Sequence, residues 1–372
     1  MKDLETCRKE IDEIDHEMIT LFERRMNVAK DVVTYKLTHE MTIFQKEREE
    51  QVILKNLERM QNEDLKPYAR NFITNMMNIS KSYQSTFLPK ESLHFKHPEH
   101  AHVRVGYQGV PGSFSSQAMR KYFGEVTPTN YPHFEDVFEG LKNNEIDYGV
   151  VPLENSSTGA INDNYDLITQ YGFFIVGEQS ISIAQHLLGI KGSHLEDIKT
   201  VYSHPQGLLQ TSRFLDAHHI EKSAYQNTAA AAKYVNERQD PSIGAIASLE
   251  AAELYHLDVL AQSIQNDHSN HTRFIIISRE LESSKEAERI SLVFTVKHEV
   301  GALYEVMRVI KDHSINMARI ESRPLPSTPW EYYFYVDIDG NLEDQNIIRA
   351  LDELKCYTNT FRLLGNYERK ES

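Results

Sequence analysis

The chain has 372 residues, 40% of them hydrophobic and 26% charged, which fits two or three ordinary domains and excludes a disordered or fibrous protein. A net charge of −15 argues against a nucleic-acid or anionic-membrane surface, because such partners need a basic field to displace counterions. No apolar stretch approaches the roughly 20 residues that span a bilayer, and the polar start MKDLETCRKEIDEID does not read as a signal peptide, so a cytoplasmic protein is expected.

Met1 to Val105 contains no glycine and its first proline is Pro67, so turns are scarce and helix is favoured. Leu4, Ile11, Ile14, Met18, Leu21, Val28 and Val32 recur at helical spacing, predicting a helix from Leu4 to about Leu37, a rod of roughly 50 Å. Two short helices cannot cover so long a stripe, and a homodimer is expected. A second helix fits Phe44 to about Gln61, and a third runs from Pro67, a favourable first-turn residue, to about Gln84. Phe87 to His102 reads as a linker, whose His97, His100 and His102 fit a solvated segment better than a metal site. Cys7 and Cys356 lie near opposite ends without Cys-x-x-Cys spacing, so reduced thiols are expected.

From Val103 short apolar runs (VRVGY, YGVVPL, KTVYS, SIGAIAS, RFIIIS) alternate with helical patterns such as HFEDVFEGLKNN, which predicts an α/β domain with mostly parallel pairing. After the charged run RELESSKEAER, the order strand, helix, strand, strand, helix, strand from Ile290 predicts a βαββαβ unit of ferredoxin-like type. The boundaries expected are 1–90, 103–285 and 289–372.

Arg25 and Lys36 are 11 residues apart, which puts them within about 20° on one helix face. Gln45, Arg48 and Glu49 share a face of the second helix, and Ser80 and Gln84 one of the third. With Arg8, they converge on a cationic pocket for a small dicarboxylate. RMNVAKDVVTYK followed by FQKEREEQVI resembles the all-helical chorismate mutases, and the intervals from Arg8 to Arg25, Lys36, Arg48 and Glu49 match without a gap. The resemblance implies an intertwined dimer in which Arg8 comes from a second copy, with Arg8, Arg25 and Arg48 holding carboxylates and Ser80 assisting. It further implies Lys36 and Gln84 as donors to the ether oxygen of chorismate, and Glu49 as acceptor of its hydroxyl. Gln45 stands where relatives commonly carry aspartate; an amide still accepts that hydroxyl, with the contact weakened.

In the middle block, GYQGVPGSFSSQA (Gly106 to Ala118) offers backbone amides and Ser113 or Ser115 to an anion. ENSSTGA and YSHPQGLLQ place small polar groups just after strand ends, where ligands sit in open α/β sheets. With Asn266 and, after five intervening residues, Thr272-Arg273-Phe274 entering an apolar run, these segments resemble prephenate dehydratase, a two-lobed domain similar to type II periplasmic binding proteins. The resemblance carries the site onto Glu154, Asn155, Ser203, Gln210 and Thr272, with Arg273 and Phe274 shaping it. A threonine hydroxyl is too weak an acid to act from its own pKa, so Thr272 would donate a positioned hydrogen bond or relay a proton, with a protonated Glu154 as the rival source.

The last block resembles an ACT module. Gly301-Ala302-Leu303 and Glu321-Ser322-Arg323-Pro324 match the phenylalanine-binding motifs of the dehydratase family, with Tyr304 in place of a commoner valine. The resemblance as a whole implies chorismate and prephenate as substrates, feedback inhibition by L-phenylalanine, and no cofactor or metal. The alternatives are an arogenate dehydratase and a non-catalytic amino-acid sensor.

Overall fold

The computed structural model describes residues 2–39, 41, 46–87, 94–98, 100, 102–325, 328 and 330–370. The glycine-free start forms α1 (Leu4–Thr38), α2 (Lys46–Glu58) and α3 (Lys66–Ser85). Then come β1 (Arg104–Gln108), α4 (Phe114–Phe123), β2 (Thr127–Tyr131), α5 (Phe134–Lys142), β3 (Tyr148–Asn155), β4 (Gly159–Ala160), α6 (Asn162–Tyr171) and β5 (Phe174–Ser182). The middle continues with β6 (His186–Gly189), β7 (Thr200–Ser203), α7 (Pro205–Gln210), α8 (Ser212–Ala217), β8 (Glu221–Ala224), α9 (Thr228–Arg238), β9 (Ile243–Ala247), α10 (Leu249–Leu254), β10 (Asp258–Ala261) and β11 (His271–Ser278). The βαββαβ block is β12 (Arg289–Thr295), α11 (Ala302–Asp312), β13 (Met317–Pro324), β14 (Tyr332–Asp339), α12 (Gln345–Lys355) and β15 (Thr360–Tyr367), followed by β16 (Arg369–Lys370). No described helix is long and apolar enough to cross a membrane.

Two compact units emerge: Met1–Leu93 with Thr295–Ser314 and Asp344–Phe361, and His94–Phe294 with Ile315–Glu343 and Arg362–Ser372. Compactness thus cuts the βαββαβ block, placing α11 and α12 in the first unit. There Asn78 donates to Glu305 at 3.2 Å and Ser82 to Glu353 at 2.7 Å, tying α3 to both helices. Asp3 caps α1 by accepting from the Thr6 N–H at 2.8 Å. Met26, Ala29 and Val33 are the residues α1 buries, one stripe on its C-terminal half, while Ile11, Met18 and Leu21 stay 45–61% exposed.

In the second unit, described strands form a seven-stranded sheet in the order β16-β5-β11-β3-β1-β2, with β4 on β3, and a five-stranded sheet β10-β6-β9-β7-β8. Pairing is mixed rather than mostly parallel: β1 runs parallel to β2 and β3, but β11 is antiparallel to both β3 and β5, and β6 to β9 and β10. The reason lies in the path, since the chain leaves the first sheet after β5, builds the second, and returns as β11 running the other way. Along β11, Phe274 and Ile276 join one buried cluster while Ile275 and Ile277 join the other, which explains an unbroken apolar run on a strand covered on both faces. Val293, Tyr335, Leu364 and Tyr367, from the four-stranded sheet β13-β14-β12-β15, belong to the Ile275 cluster. The segment read as a solvated linker is partly seated: His100 lies 5.0–5.6 Å, ring to ring, from Tyr122, Phe123 and Tyr148.

Two candidate active sites

In the first unit, Arg25, Lys36, Arg48, Glu49, Ser80 and Gln84 line one cavity of about 320 Å³. Each helix contributes a pair: the 11-residue spacing on α1 brings Arg25 and Lys36 together, α2 adds its adjacent Arg48 and Glu49, and the four-residue step on α3 adds Ser80 and Gln84. Val28, Ala29, Val32, Val52 and Met77 supply apolar wall. The Arg25 guanidinium donates to the Ser80 hydroxyl, and burial pushes Arg25 below the usual guanidinium value. Glu49 receives Lys81 at 2.9 Å, a partner the sequence reading did not single out. Arg8 sits 17 residues before Arg25 on α1, roughly 25 Å along the axis, and does not line this cavity. Gln45 lies outside the described residues. Four cations, Arg25, Lys36, Arg48 and Lys81, the last paired with Glu49, over an apolar wall suit a compact dianion.

In the second unit, a cavity of about 220 Å³ lies between the two sheets and is lined by Asn155, Gln210, Thr272 and Phe274, with Ser113 and Ser115 from the start of α4. Ser113 caps that helix, and Gly109 and Gly112 (φ +108° and +85°) make the turn before it. Asn155 Oδ1 accepts from the backbone N–H groups of Ser157 (3.0 Å) and Thr158 (3.2 Å), which fixes the amide orientation. Its Nδ2 therefore donates, to Thr272 Oγ1 and Asn270 Oδ1, both at 2.8 Å. A threonine oxygen that accepts from Asn155 keeps its own hydrogen for a third group. Across the cavity, Gln206 donates to Thr158 at 3.0 Å and Gln210 to Ser157 at 3.2 Å, linking α7 to the loop after β3.

Three expected residues do not face the cavity. Ser203 is fully buried and its hydroxyl donates to the Ile246 carbonyl at 2.7 Å. Glu154 pairs with Arg319 of β13 at 3.0 Å and does not line the cavity. Arg273 donates to Glu178 (2.8 Å), Asp337 (2.7 Å) and the Tyr367 hydroxyl (2.9 Å). Burial opposes the Arg273 charge, yet Tyr367, Asp337 and Glu178 together raise it well above the usual guanidinium value. The physical reason is strand alternation: Glu154 and Arg273 are paired across β3 and β11, one residue away from Asn155 and Thr272, so they share the opposite face.

The cavity also uses residues that sequence reasoning passed over, among them Gln185, His204, Asn227 and Thr228. Asn227 carried a signal, because Asn-Thr before AAAAKYV is a helix start, and its side chain accepts from Ala230 N–H at 2.7 Å. His204 Nδ1 accepts from the Gln206 N–H at 3.3 Å, and loss of hydration lowers its pKa although the residue keeps an open face.

Gly301 precedes α11 with φ +82°, a conformation that favours glycine, and Ala302 and Leu303 open the helix. Gly301 and Ala302 line a further first-unit cavity of about 390 Å³ together with Glu49 and Lys81. Glu321, Ser322, Arg323 and Pro324 close β13 in the second unit, where Arg323 pairs with Asp166 at 2.6 Å.

Residues 105–282 match the prephenate dehydratase family and residues 7–85 the chorismate mutase type II family. A bifunctional chorismate mutase/prephenate dehydratase of Enterobacter agglomerans is 35% identical over 97% of this chain and 94% of its own. The enzyme of that name from Aquifex aeolicus is 32% identical over 99% and 98%. Among solved structures, the prephenate dehydratase of Arthrobacter aurescens in complex with L-Phe superposes with a TM-score of 0.66 and 29% identity, covering 72% of this chain and 90% of that one.

Proposed function

The chain belongs to the bifunctional chorismate mutase/prephenate dehydratase family, and from that premise we propose how its own residues carry the two reactions. It converts chorismate to prephenate and prephenate to phenylpyruvate. The first step is a pericyclic rearrangement that needs a folded substrate and donors where charge grows on the ether oxygen, not a nucleophile. Arg25 and Arg48 hold carboxylates, Ser80 braces Arg25, Lys36 and Gln84 donate to the ether oxygen, and Glu49 accepts the substrate hydroxyl. A second copy supplies Arg8, in a dimer that also covers Ile11, Met18 and Leu21; their exposure supports this reading.

In the second reaction the ring carboxylate leaves as carbon dioxide, its bonding pair enters the ring, and hydroxide departs as water while the ring becomes aromatic. The Asn155–Thr272 hydrogen bond carries our assignment: the amide occupies the threonine's acceptor side, so Thr272 donates a hydrogen bond to the departing hydroxyl and relays to it a proton that solvent returns to the threonine. Gln210 and Phe274 complete the wall, with Ser113 and Ser115 at the α4 start toward a carboxylate.

The last block acts as an ACT module of ferredoxin-like type that binds L-phenylalanine through Gly301-Ala302-Leu303 and Glu321-Ser322-Arg323-Pro324 and lowers activity. A relative solved with L-Phe supports this. Phenylalanine inhibits if it favours a less active state of that module. Arogenate is disfavoured as substrate because a chain carrying its own mutase makes prephenate. Purified protein given chorismate should form phenylpyruvate, less of it with phenylalanine added; accumulation of prephenate alone would remove the dehydratase reading.

A further inference from the structure

Lys81 stands between two cavities of the first unit. One holds Arg25, Lys36, Arg48 and Gln84; the other is lined by Gly301, Ala302, Glu305 and Tyr357; both include Glu49 and Lys81. The Lys81 ammonium lies 2.9 Å from the Glu49 carboxylate, with the two side chains only 17% and 27% exposed. It also lies 5.3 Å from the centroid of the Tyr357 ring. Tyr357 is itself held, because Arg308 donates to its hydroxyl at 3.0 Å and Arg308 is fixed by Glu305 (2.9 Å) and Asp312 (2.7 Å).

We propose that Lys81 is a positioning residue for the mutase reaction: it holds the Glu49 carboxylate in place, and the segment after α12 holds Lys81 through Tyr357. This rests on the reading of Glu49 as the acceptor of the substrate hydroxyl. A glutamate on α2 has three side-chain torsions, and without a second anchor its carboxylate would sample positions in both cavities. An ammonium on the neighbouring helix selects one of them. The aromatic face keeps the ammonium from following the carboxylate into the substrate space, since the negative face of a partly desolvated ring attracts a cation. The mutase site therefore includes an element of the last block, far from it in sequence. A ligand bound beside Gly301 would meet the same lysine.

Lys81→Met, Glu49→Gln and the double variant test this in the full-length protein, with dehydratase rates of the same preparations reporting the state of the second unit. We expect Lys81→Met to lower mutase kcat/KM about tenfold or more, Lys81→Arg to restore most of it, and the double variant to be no slower than Glu49→Gln. Tyr357→Leu should give a smaller loss that vanishes in the Lys81→Met background. If Glu49→Gln is slow and Lys81→Met keeps the wild-type rate, the proposal is overturned while the Glu49 reading stands. If Glu49→Gln keeps the wild-type rate, the Glu49 reading itself fails. Losses that multiply in the double variant would mean that Lys81 touches the substrate directly, which also overturns the proposal.

Discussion

Arg273 Nη1 stands 2.7 Å from Asp337 Oδ2, joining the strand that carries Thr272 to β14 of the last block. Arg273 and Asp337 side chains are 13% and 10% exposed, and the Ser291 hydroxyl donates to the other carboxylate oxygen at 2.5 Å. A buried pair of this kind is costly to break from one side, about 3–5 kcal/mol, because the remaining charge is left without compensation. Arg273→Met should therefore lower the denaturation midpoint of the second unit strongly, and Asp337→Asn should lower it in the same direction. Prephenate KM of the folded fraction should change little. A raised KM with unchanged stability would return Arg273 to the substrate.

Thr272→Val removes the donated hydrogen while keeping the shape. Dehydratase kcat should fall about 10²–10⁴-fold, the range for a lost proton donor, with KM nearly constant, and Thr272→Ser should retain most of the rate. Steady-state kinetics on prephenate decide it. Normal turnover in Thr272→Val would end this role.

Lys36→Ala should reduce mutase kcat by about 10²–10³-fold, as loss of a donor at a developing oxyanion does, and leave dehydratase turnover on supplied prephenate intact. The paired assays, chorismate consumption and phenylpyruvate formation, separate the sites in one preparation. A parallel fall in both would point to unfolding rather than chemistry.

His186 opens β6, is 3% exposed, and accepts from the Ser263 N–H at 3.2 Å through Nδ1. Burial lowers its pKa, so the unfolded chain binds a proton more readily than the folded one. The resulting stability is fully present above the ordinary histidine value of about 6.5 and is lost as pH falls through the depressed folded value. His313 in the first unit has the opposite sign: hydrogen bonding to Glu353 raises it, so its contribution is present below about 6.5 and fades as pH rises through the raised value. Denaturant titrations between pH 5 and 8 should show a shallower acid loss in His186→Gln than in the wild type. Identical slopes would contradict the assignment.

The alternation rule would have separated part of the dehydratase site in advance. Thr272, Arg273 and Phe274 are consecutive on a strand, so Arg273 cannot share a face with its neighbours, and the same holds for Glu154 beside Asn155. Ser203 is different, because its burial against the Ile246 carbonyl depends on which strand lies next to β7, and that is β9, some 40 residues later.

What the sequence by itself determined is local: a glycine-free helical start, the βαββαβ order, the turns at Gly109, Gly112 and Gly301, and the spacings that line Arg25, Lys36, Ser80 and Gln84 on their helices. Periodicity and backbone sterics act over a few residues, and they are readable one segment at a time. Only the tertiary structure decided that Lys81 meets Glu49 and Tyr357, that Arg319 takes Glu154, and that β11 returns antiparallel between β3 and β5. Those outcomes depend on which surfaces meet when distant segments bury their apolar faces, and no local pattern in this chain specifies the partner.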